Sequence, residues 1–407
     1  MNAGSVIELE INDVAYGGAG VGRCGGMAVF VPFTIGGERV RARVREVLPR
    51  FARAGLEEVL SASPDRVSPR CPWFGKCGGC QYQHIAIGRQ RAIKRSQLAE
   101  ALRRIGGIEN PTVPDAVPSP ADYGYRTRIE LHGPGKPGYR EEASAIRVEI
   151  ESCAIARPEI NLRFSDLAGL NLEATQTLCI RCNRAGVVQH FRTLSRSAGR
   201  QARSSHGRAE QGEMPDDLFE PVAGIRFRVP AGAFFQVNPD VAELVVQSVA
   251  DAFAASGAAL FVDAYCGVGL FALALAGRAK KCFGIESAPD AVRAARQTAA
   301  EHGIRNSDFL GAPAESALDN LWPHCRAPET AVLLDPPRSG CSGQVLRSVC
   351  SFRPARIFYL SCVPPMLARD SAHLAKAGYR LEAVTPFDMF PQTGHCEALA
   401  VFALGET

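Results

Sequence analysis

The feature that most constrains the fold is an alternation of strand-like and helical segments from residue 230 to residue 407. Five apolar runs read as strands: ALFVDAY, KCFGIES, AVLLDPP, RIFYLSC and ALAVFAL. Helical patterns lie between them, starting near Leu270 and covering residues 289–302 and 365–378. Strands and helices that alternate in this way form a parallel sheet with helices on both faces. We therefore predict a doubly wound α/β domain over residues 230–407.

The amino-terminal segment, residues 1–62, has a different pattern. The runs VIELEI, MAVFVPF and ERVRARVREV predict three strands, and the glycine-rich stretch YGGAGVGRCGG predicts a loop or tight turn between the first two. Short strands at this spacing predict a small OB-like β-barrel. Four arginines share one face of the third strand, which is either a solvated face or a phosphate-contacting one: Arg39, Arg41, Arg43 and Arg45.

The middle segment, residues 63–229, is predicted to be an α+β domain. It contains the run RQRAIKRSQLAEALRRIGG, which predicts a helix that stops at Gly106. One side of this helix is apolar: Leu98, Leu102 and Ile105. The opposite side is predicted to be a basic surface: Arg91, Lys94, Arg95 and Arg103. The stretches RTRIELH and AIRVEIE predict strands, and residues 195–217 predict a basic loop or disordered insertion.

The composition is typical of a globular protein and does not indicate a particular function. The chain has 407 residues, of which 46% are hydrophobic and 22% charged, so a globular protein of two or three domains is expected. We find no signal peptide pattern and no apolar run that would span a bilayer, so we expect a cytoplasmic protein without a membrane partner. In a reducing compartment, clusters among the 14 cysteines indicate metal binding or catalysis rather than disulfides. The net charge of +4 is compatible with a nucleic-acid partner.

A glycine-bearing turn follows the first strand of the α/β segment, in VDAYCGVGLFALALA. Gly267 and Gly269 would let the backbone approach a ligand closely, as the first turn of a nucleotide-binding α/β unit requires. Glu286 ends the next strand, where a carboxylate can accept hydrogen bonds from ribose hydroxyls. The full G-x-G-x-x-G pattern is absent, which argues against a dehydrogenase.

Two further strand ends carry reactive side chains. Asp335 in LLDPPR and Cys362 in YLSC each end an apolar strand, so both are predicted at the edge of the sheet where ligands bind. Either residue alone would suit a structural role, because a cysteine is most often a small buried hydrophobe. If the last strand is antiparallel to the others, Glu397 in GHCEALAVF lies beside Cys362. A nucleophile and a general base would then share one edge.

A cysteine cluster opens the middle segment. Cys71, Cys77 and Cys80 form a C-x5-C-x2-C run, and Cys153 follows in EIESCAIA. Four thiolates can hold an iron–sulfur cluster or a structural zinc ion, and spacing alone leaves both open. A second pair, Cys179 and Cys182, lies in a strand-like stretch, where residues three apart point to opposite faces. We interpret that pair as packing residues.

These motifs, together with GAFFQVNP at residues 232–239, resemble the RNA uracil-5-methyltransferase family, and the first segment resembles the RNA-binding TRAM domain. The resemblance implies a Rossmann-like methyltransferase domain that uses S-adenosyl-L-methionine to methylate carbon 5 of a uridine. It implies Cys362 as the covalent nucleophile and Glu397 as the base. Four positions match cofactor-contacting positions of the family: Gln236, Tyr265, Glu286 and Asp335.

The same resemblance extends to the cysteine cluster and the RNA partner. The spacing with a later fourth cysteine marks the branch of the family that carries a 4Fe–4S cluster, which implies an iron–sulfur domain over residues 63–229. The implied cluster ligands are four cysteines: Cys71, Cys77, Cys80 and Cys153. Members with a TRAM domain and these cysteines tend to act on ribosomal RNA, so we expect ribosomal rather than transfer RNA as partner. We expect a monomer.

Two departures from the family pattern motivate a second hypothesis. Leu270 and Val363 stand where the family usually has asparagine. The alternative is therefore an RNA-binding iron–sulfur protein of the same fold with lost or altered activity. An RNA cytosine-5-methyltransferase is disfavoured, because those enzymes carry a catalytic cysteine in the DPP turn, where this chain has Arg338.

Overall fold

The computed structural model describes residues 1–142, 144, 146–167, 169–194 and 216–405. Most of the insertion predicted at residues 195–217 therefore lies outside the described residues. Among the helices of the described ranges, none combines the length and the apolar character that crossing a bilayer would require.

Five strands close the amino-terminal barrel: β1 (Val6–Val14), β2 (Ala19–Cys24), β3 (Met27–Pro32), β4 (Arg39–Val47) and β5 (Phe51–Ser61). Their order around the barrel is β1-β2-β3-β5-β4, and β4 pairs back onto β1. Only β3 and β5 run parallel to each other. Apolar side chains from alternate positions fill the interior, as the period of two requires. The predicted barrel is confirmed.

The prediction of a loop throughout YGGAGVGRCGG is wrong, because β2 occupies most of this stretch. Its glycines are needed for close packing inside the barrel. A Cβ on Gly20 would lie 2.0 Å from the Thr34 hydroxyl, and a Cβ on Gly22 would lie 2.2 Å from the Glu10 carbonyl oxygen. Glycine within a strand thus marks a close approach of neighbouring atoms here rather than a turn.

The arginines predicted on one face of β4 are partly neutralised. Arg41 forms ion pairs with Glu8, at 2.9 Å, and with Glu58, while Arg43 pairs with Glu57 at 2.6 Å. These glutamates lie on the neighbouring strands β1 and β5. The pairing favours the solvated face over the phosphate-contacting one.

The middle segment combines two helices with short strands. The helices are α1 (Ile87–Arg104) and α2 (Pro158–Asn161). The strands are β6 (Arg128–His132), β7 (Tyr139–Arg140), β8 (Arg147–Val148), β9 (Gln176–Cys182), β10 (Val188–Leu194), β11 (Leu218–Val222) and β12 (Ile225–Val229). They form a three-stranded sheet in the order β10-β9-β6 and the pairs β7-β8 and β11-β12. The predicted strand in AIRVEIE is reduced to the two residues of β8.

The predicted helix is present as α1, but its two faces differ from the prediction. Leu98 and Leu102 are fully buried as expected, whereas Ile105 follows the helix end and is 49% exposed. Lys94, assigned to the basic surface, is completely buried. A buried lysine needs a charged partner, and Lys94 has one in a distant part of the chain.

The carboxy-terminal part is a seven-stranded sheet with helices on both faces. Its helices are α3 (Pro239–Ser256), α4 (Leu270–Ala274), α5 (Pro289–Glu301), α6 (Ala314–Leu321), α7 (Gly343–Phe352) and α8 (Pro364–Lys376). Its strands are β13 (Leu260–Ala264), β14 (Lys281–Glu286), β15 (Ser307–Gly311), β16 (Thr330–Leu334), β17 (Arg356–Ser361), β18 (Tyr379–Phe387) and β19 (Glu397–Leu404). The order is β15-β14-β13-β16-β17-β19-β18, and β13 to β17 are parallel. The doubly wound α/β prediction is confirmed.

The core lies in two layers, one on each face of this sheet. Helices α3, α4 and α5 cover one face, and the hairpin β11-β12 packs into the same layer through Phe227 and Val229. Helices α6, α7 and α8 cover the other face, where α1 joins them through Leu98 and Leu102. Elements of the middle segment thus contribute to both layers, while the boundary at residue 229 stays a prediction.

Candidate active site

The reactive residues predicted at strand ends lie at one edge of the large sheet. β16 ends just before Asp335, β17 ends just before Cys362, and β19 begins at Glu397. Strand β19 is antiparallel to β17, and Ser361 pairs with Ala398. This register places Cys362 and Glu397 beside each other on neighbouring strands, as the antiparallel arrangement predicts.

The half-buried thiol of Cys362 is not charged in the resting site. Burial, followed by the negative charge of Glu397, raises the pKa of Cys362 to about 12, and the positive charge of Arg338 opposes this effect. The thiolate is the nucleophilic form of a cysteine. A neighbouring base must therefore remove the thiol proton before Cys362 can attack a substrate.

Two carboxyl groups share this edge. Burial raises the pKa of Asp335 to about 7. Glu397 is almost fully buried, and burial together with the charge of Asp335 raises the pKa of its carboxyl well above the usual value. Carboxyl groups in such surroundings can hold or release a proton near neutral pH, which is the property that acid–base chemistry requires.

Arg338 is a member of this site that the sequence analysis missed. It is exposed and follows the two prolines after Asp335. Its positive charge lowers the pKa of both Cys362 and Glu397. Burial and then Arg338 also lower the pKa of His395 to about 4, so this histidine is neutral. The position of Arg338 three residues after a strand-end aspartate was the available signal.

The glycine turn after β13 has one tight side and one open side. Gly267 and Gly269 both have left-handed backbone conformations, with φ of 55° and 85°. A Cβ on Gly269 would lie 2.9 Å from the ring of Phe309, whereas a Cβ on Gly267 would meet no described atom within 4 Å. Gly269 therefore serves packing, and Gly267 leaves room beside the backbone for a ligand.

Glu286 is held in a fixed position next to this turn. Its carboxylate accepts hydrogen bonds from the backbone N–H groups of Gly267 at 3.2 Å and Ala288 at 2.8 Å. Asp263, at the end of β13, is fully buried and accepts one bond from the N–H of Ala272 at 3.1 Å. Its second oxygen has no partner among the described residues. The Glu286 carboxylate thus lies beside Gly267, whereas Asp263 is enclosed next to α4.

The two other predicted cofactor residues lie on separate segments. Tyr265 precedes the glycine turn and has an unusual φ of 74°, and burial raises the pKa of its phenol. Gln236 is buried in the segment that leads into α3. There Asn238 caps the helix, because its side-chain oxygen accepts a hydrogen bond from the N–H of Val241 at 3.4 Å. Asparagine directly before a proline that opens a helix is a common N-cap pattern.

The two departures from the family pattern are both accommodated locally. Leu270 begins α4 and is buried in the core layer. The N–H of Val363 donates to the Ser361 hydroxyl at 3.1 Å, directly before α8 begins. The lost or altered activity that these two departures suggest stays a prediction.

The segment before Glu397 is held by residues from distant parts of the chain. Lys94 Nζ lies 2.7 Å from Asp388 Oδ1, and the Gln90 side chain accepts a hydrogen bond from the N–H of Gln392 at 2.9 Å. Further bonds reach the segment from three residues: Tyr82, Tyr125 and Asn238. Sequence patterns could not find these contacts, since Lys94 and Gln90 read as polar residues of an amphipathic helix.

The four cysteines of the predicted cluster lie in one region. Cys71, Cys77 and Cys80 are in the loop before α1, and burial together with the charges of the other three cysteines raises the pKa of Cys80 to about 12. The N–H of Gly79 donates to Cys77 Sγ at 3.4 Å. Four cysteine thiols in one region are the type of ligand that an iron–sulfur cluster requires. Within the described ranges, however, no three metal-binding side chains stand in a ligating arrangement.

The other cysteine pair lies as predicted. Cys179 and Cys182 are both buried in β9 and belong to different apolar clusters on its two faces. Side chains on opposite faces of a strand cannot converge on one ion.

The topology defines the class of protein. In open α/β sheets, ligands bind beyond the carboxyl ends of the strands, where the strand order reverses. Here the reversal lies between β13 and β16, and it coincides with the glycine turn and Asp335. The fold is therefore of the α/β class whose members bind nucleoside ligands beyond the carboxyl end of a central strand, which here is β13.

Comparisons with known proteins identify the family. The profile described as tRNA (uracil-5-)-methyltransferase matches residues 220–403, and the TRAM domain profile matches residues 2–56. An uncharacterised RNA methyltransferase of Thermosynechococcus vestitus is 32% identical over 98% of both chains. Another from Halalkalibacterium halodurans is 29% identical over 99% of this chain and 98% of its own. The chain belongs to this family of S-adenosylmethionine-dependent RNA uracil-5-methyltransferases.

A solved structure has the same overall fold. It is the Pyrococcus abyssi tRNA (uracil-54, C5)-methyltransferase in complex with S-adenosyl-L-homocysteine. The two chains superimpose with a TM-score of 0.73 at 24% identity, over 98% of this chain and 100% of the other. The barrel, the middle segment and the large sheet therefore follow an established architecture.

Proposed function

We propose that the protein methylates carbon 5 of a uridine in ribosomal RNA through a covalent adduct with Cys362. The observation that carries this proposal is the adjacency of Cys362 and Glu397 on neighbouring strands, with Asp335 at the same edge. Uracil carbon 5 is a weak nucleophile, so a methyl transfer to it needs prior activation. A cysteine beside a base can supply that activation.

The residues of the site account for each step. Glu397 first takes the thiol proton of Cys362 and passes it to solvent, which leaves a thiolate beside a carboxylate. The Cys362 thiolate adds to carbon 6 of the uracil, which makes a carbon–sulfur bond and leaves an enolate with a nucleophilic carbon 5. When bound, S-adenosylmethionine supplies the electrophilic methyl group. Glu397, as a carboxylate, then takes the proton from carbon 5. The electron pair of the broken C–H bond re-forms the 5,6 double bond and expels the Cys362 thiolate.

Local charges support these roles. Arg338 lowers the pKa of both Cys362 and Glu397, so it favours the anionic forms that attack carbon 6 and accept the carbon 5 proton. For the cofactor, we propose four binding residues: Gln236, Tyr265, Glu286 and Asp335. The fixed carboxylate of Glu286 suits ribose hydroxyls, which donate hydrogen bonds to it.

The experiment uses transcripts that contain 5-fluorouridine, whose fluorine cannot be removed as a proton is. Purified protein is incubated with S-adenosylmethionine and such transcripts of 23S ribosomal RNA or of transfer RNA. We expect a covalent protein–RNA adduct with the ribosomal transcript and none with Cys362→Ala. Glu397→Gln should accumulate an adduct with ordinary uridine, because the carbon 5 proton stays in place.

The outcomes separate the alternatives. An adduct with transfer RNA alone would indicate a transfer RNA substrate, the type named for the similar Pyrococcus abyssi enzyme. No adduct with either transcript, while S-adenosylmethionine still binds, would favour an RNA-binding protein that has lost turnover. An adduct that persists in Cys362→Ala would contradict the assigned nucleophile.

We also propose that Cys71, Cys77, Cys80 and Cys153 hold a 4Fe–4S cluster. The support is their shared neighbourhood, the N–H donor to Cys77, and a hydrogen bond from the Tyr139 hydroxyl to Cys153 Sγ at 3.8 Å. Polar hydrogens directed at cysteine sulfur stabilise bound thiolates.

Iron analysis tests the cluster. Anaerobically purified protein should contain close to four irons and show visible thiolate–iron absorbance, and Cys80→Ser should lose both. Cys24→Ser is the matched control, since Cys24 is a half-buried cysteine of the barrel outside the group. Stoichiometric zinc without iron would contradict the proposal.

A further inference from the structure

The turn between β1 and β2 presents an aromatic side chain at its tip. The N–H of Gly18 donates to the carbonyl oxygen of Ala15 at 3.0 Å, which closes the turn around Tyr16. Gly17 and Gly18 have positive φ angles of 96° and 103°. Tyr16 is 38% exposed, so its ring is available at the barrel surface.

This turn packs against the segment that leads to Glu397. A Cβ on Gly394 would lie 3.2 Å from the carbonyl carbon of Gly17, so the two backbones are in direct contact. The Gln81 side chain accepts a hydrogen bond from the N–H of Gly394 at 3.3 Å. A Cβ on Gly18 would lie only 2.7 Å from Cβ of Gln81. Close packing therefore fixes the position of this turn relative to the segment that leads to Glu397.

The surroundings of the Tyr16 hydroxyl agree with this placement. Burial, then the charge of Cys362, raises the pKa of Tyr16, and Arg338 opposes that effect. The charge of Glu397 acts on the same hydroxyl. These charges and the contact between Gly17 and Gly394 place the turn that carries Tyr16 beside the segment leading to Glu397, although the turn belongs to a different domain of the fold.

We propose that Tyr16 forms one wall of the target-nucleotide site, where its ring stacks on the uracil presented to Cys362. This inference rests on the proposed function. Proteins bind unpaired RNA bases by stacking them on aromatic side chains, and a half-exposed tyrosine beside a nucleophile suits that purpose. The barrel then contributes to the active site itself and does more than bind RNA at a distance.

Two substitutions at Tyr16 and one control test the proposal. Tyr16→Ala removes the ring, and Tyr16→Phe keeps it. Val47→Ala is the control, because Val47 is also 38% exposed and lies at the end of β4 away from the β1–β2 turn. All variants are assayed for kcat/KM with unmodified 23S ribosomal RNA transcript, for S-adenosylmethionine affinity and for the midpoint of urea unfolding.

We expect Tyr16→Ala to lower kcat/KM for RNA by roughly 5- to 150-fold, the range that loss of one base–aromatic stack implies. Tyr16→Phe and Val47→Ala should stay within about twofold of the wild type, and cofactor affinity and unfolding midpoint should not change. An unchanged Tyr16→Ala would overturn the inference. Equal losses in Tyr16→Ala and Tyr16→Phe would also overturn it, since the hydroxyl rather than the ring would then matter.

A crosslinking experiment separates this inference from the proposed function. Transcripts with 4-thiouridine in place of uridine are bound to the wild-type protein and irradiated, and the crosslinked peptide is identified by mass spectrometry. We expect the peptide that contains Tyr16 to be labelled, and less so in Tyr16→Ala. Crosslinking needs no turnover, so a missing crosslink overturns the role of Tyr16 even if methylation itself fails.

Discussion

Lys94 on α1 and Asp388 ahead of β19 form an ion pair in which Nζ lies 2.7 Å from Oδ1 and both side chains are fully buried. Lys94 also donates to the carbonyl oxygen of Phe390 at 2.9 Å. The pair joins a helix of the middle segment to the backbone that leads into Glu397. The segment that leads to Glu397 is therefore held in place by a residue from outside the large sheet.

Breaking this pair should be costly. Lys94→Met leaves the buried Asp388 carboxylate without a counter-ion, and we expect a loss of about 3–5 kcal/mol in the free energy of unfolding, measured with urea. The double variant Lys94→Met/Asp388→Leu should recover much of the loss. Arg95→Met, which breaks the exposed pair with Asp115, is the control and should cost under about 1 kcal/mol. A similar small cost for Lys94→Met would contradict the buried pairing.

The reactivity of Cys362 should follow the charges around it. After burial, the Glu397 carboxylate is the main cause of its raised pKa, so Glu397→Gln should lower the pKa of Cys362 and speed alkylation at mildly alkaline pH. Arg338→Met removes the opposing positive charge and should slow alkylation. The iodoacetamide labelling rate of the Cys362 peptide, followed by mass spectrometry, measures both effects. Opposite changes would show that these charges do not act on the thiol.

The two glycines of the turn after β13 should respond differently to alanine. Gly269→Ala brings a Cβ against Phe309 in a left-handed conformation, and we expect a loss of about 2–4 kcal/mol in stability. Gly267→Ala adds its Cβ to open space, so its stability cost should be about 1–2 kcal/mol, from backbone strain alone. Its main effect should be weaker binding of S-adenosylmethionine, measured by calorimetry. Unchanged cofactor affinity in Gly267→Ala would place the ligand elsewhere.

The stability of the ligand-free protein should depend on Asp335. Burial raises its pKa to about 7, whereas an aspartate in an unfolded chain titrates near 4. Between these values the folded state binds more protons than the unfolded state, so stability falls as the pH rises through this window and levels off above it. In Asp335→Asn, the difference in unfolding free energy between about pH 5 and about pH 8 should shrink. An identical difference in both proteins would contradict the raised pKa.

Local sequence patterns predicted the features that depend on interactions between residues close together in the chain. The apolar runs before Asp335 and Cys362 ended where predicted, because the prolines that follow lack the N–H group that a central strand donates to its neighbour. The cap at Asn238 is an equally local feature, since its partner lies three residues away. Patterns failed in β2, where Gly20 and Gly22 resembled turn residues but allow strands to pack closely.

The sequence by itself determined the α/β class, the barrel and the strand ends that carry Asp335 and Cys362, since hydrophobic periodicity and turn residues act over a few positions. Only the tertiary structure decided the partners of these residues. Glu397 reaches Cys362 because β19 inserts antiparallel beside β17, and the β1–β2 turn packs against the segment before Glu397 through Gly17 and Gly394. The burial of Lys94 depends on a segment almost three hundred residues away. Contacts of this kind arise from packing of the whole chain, and no local pattern encodes them.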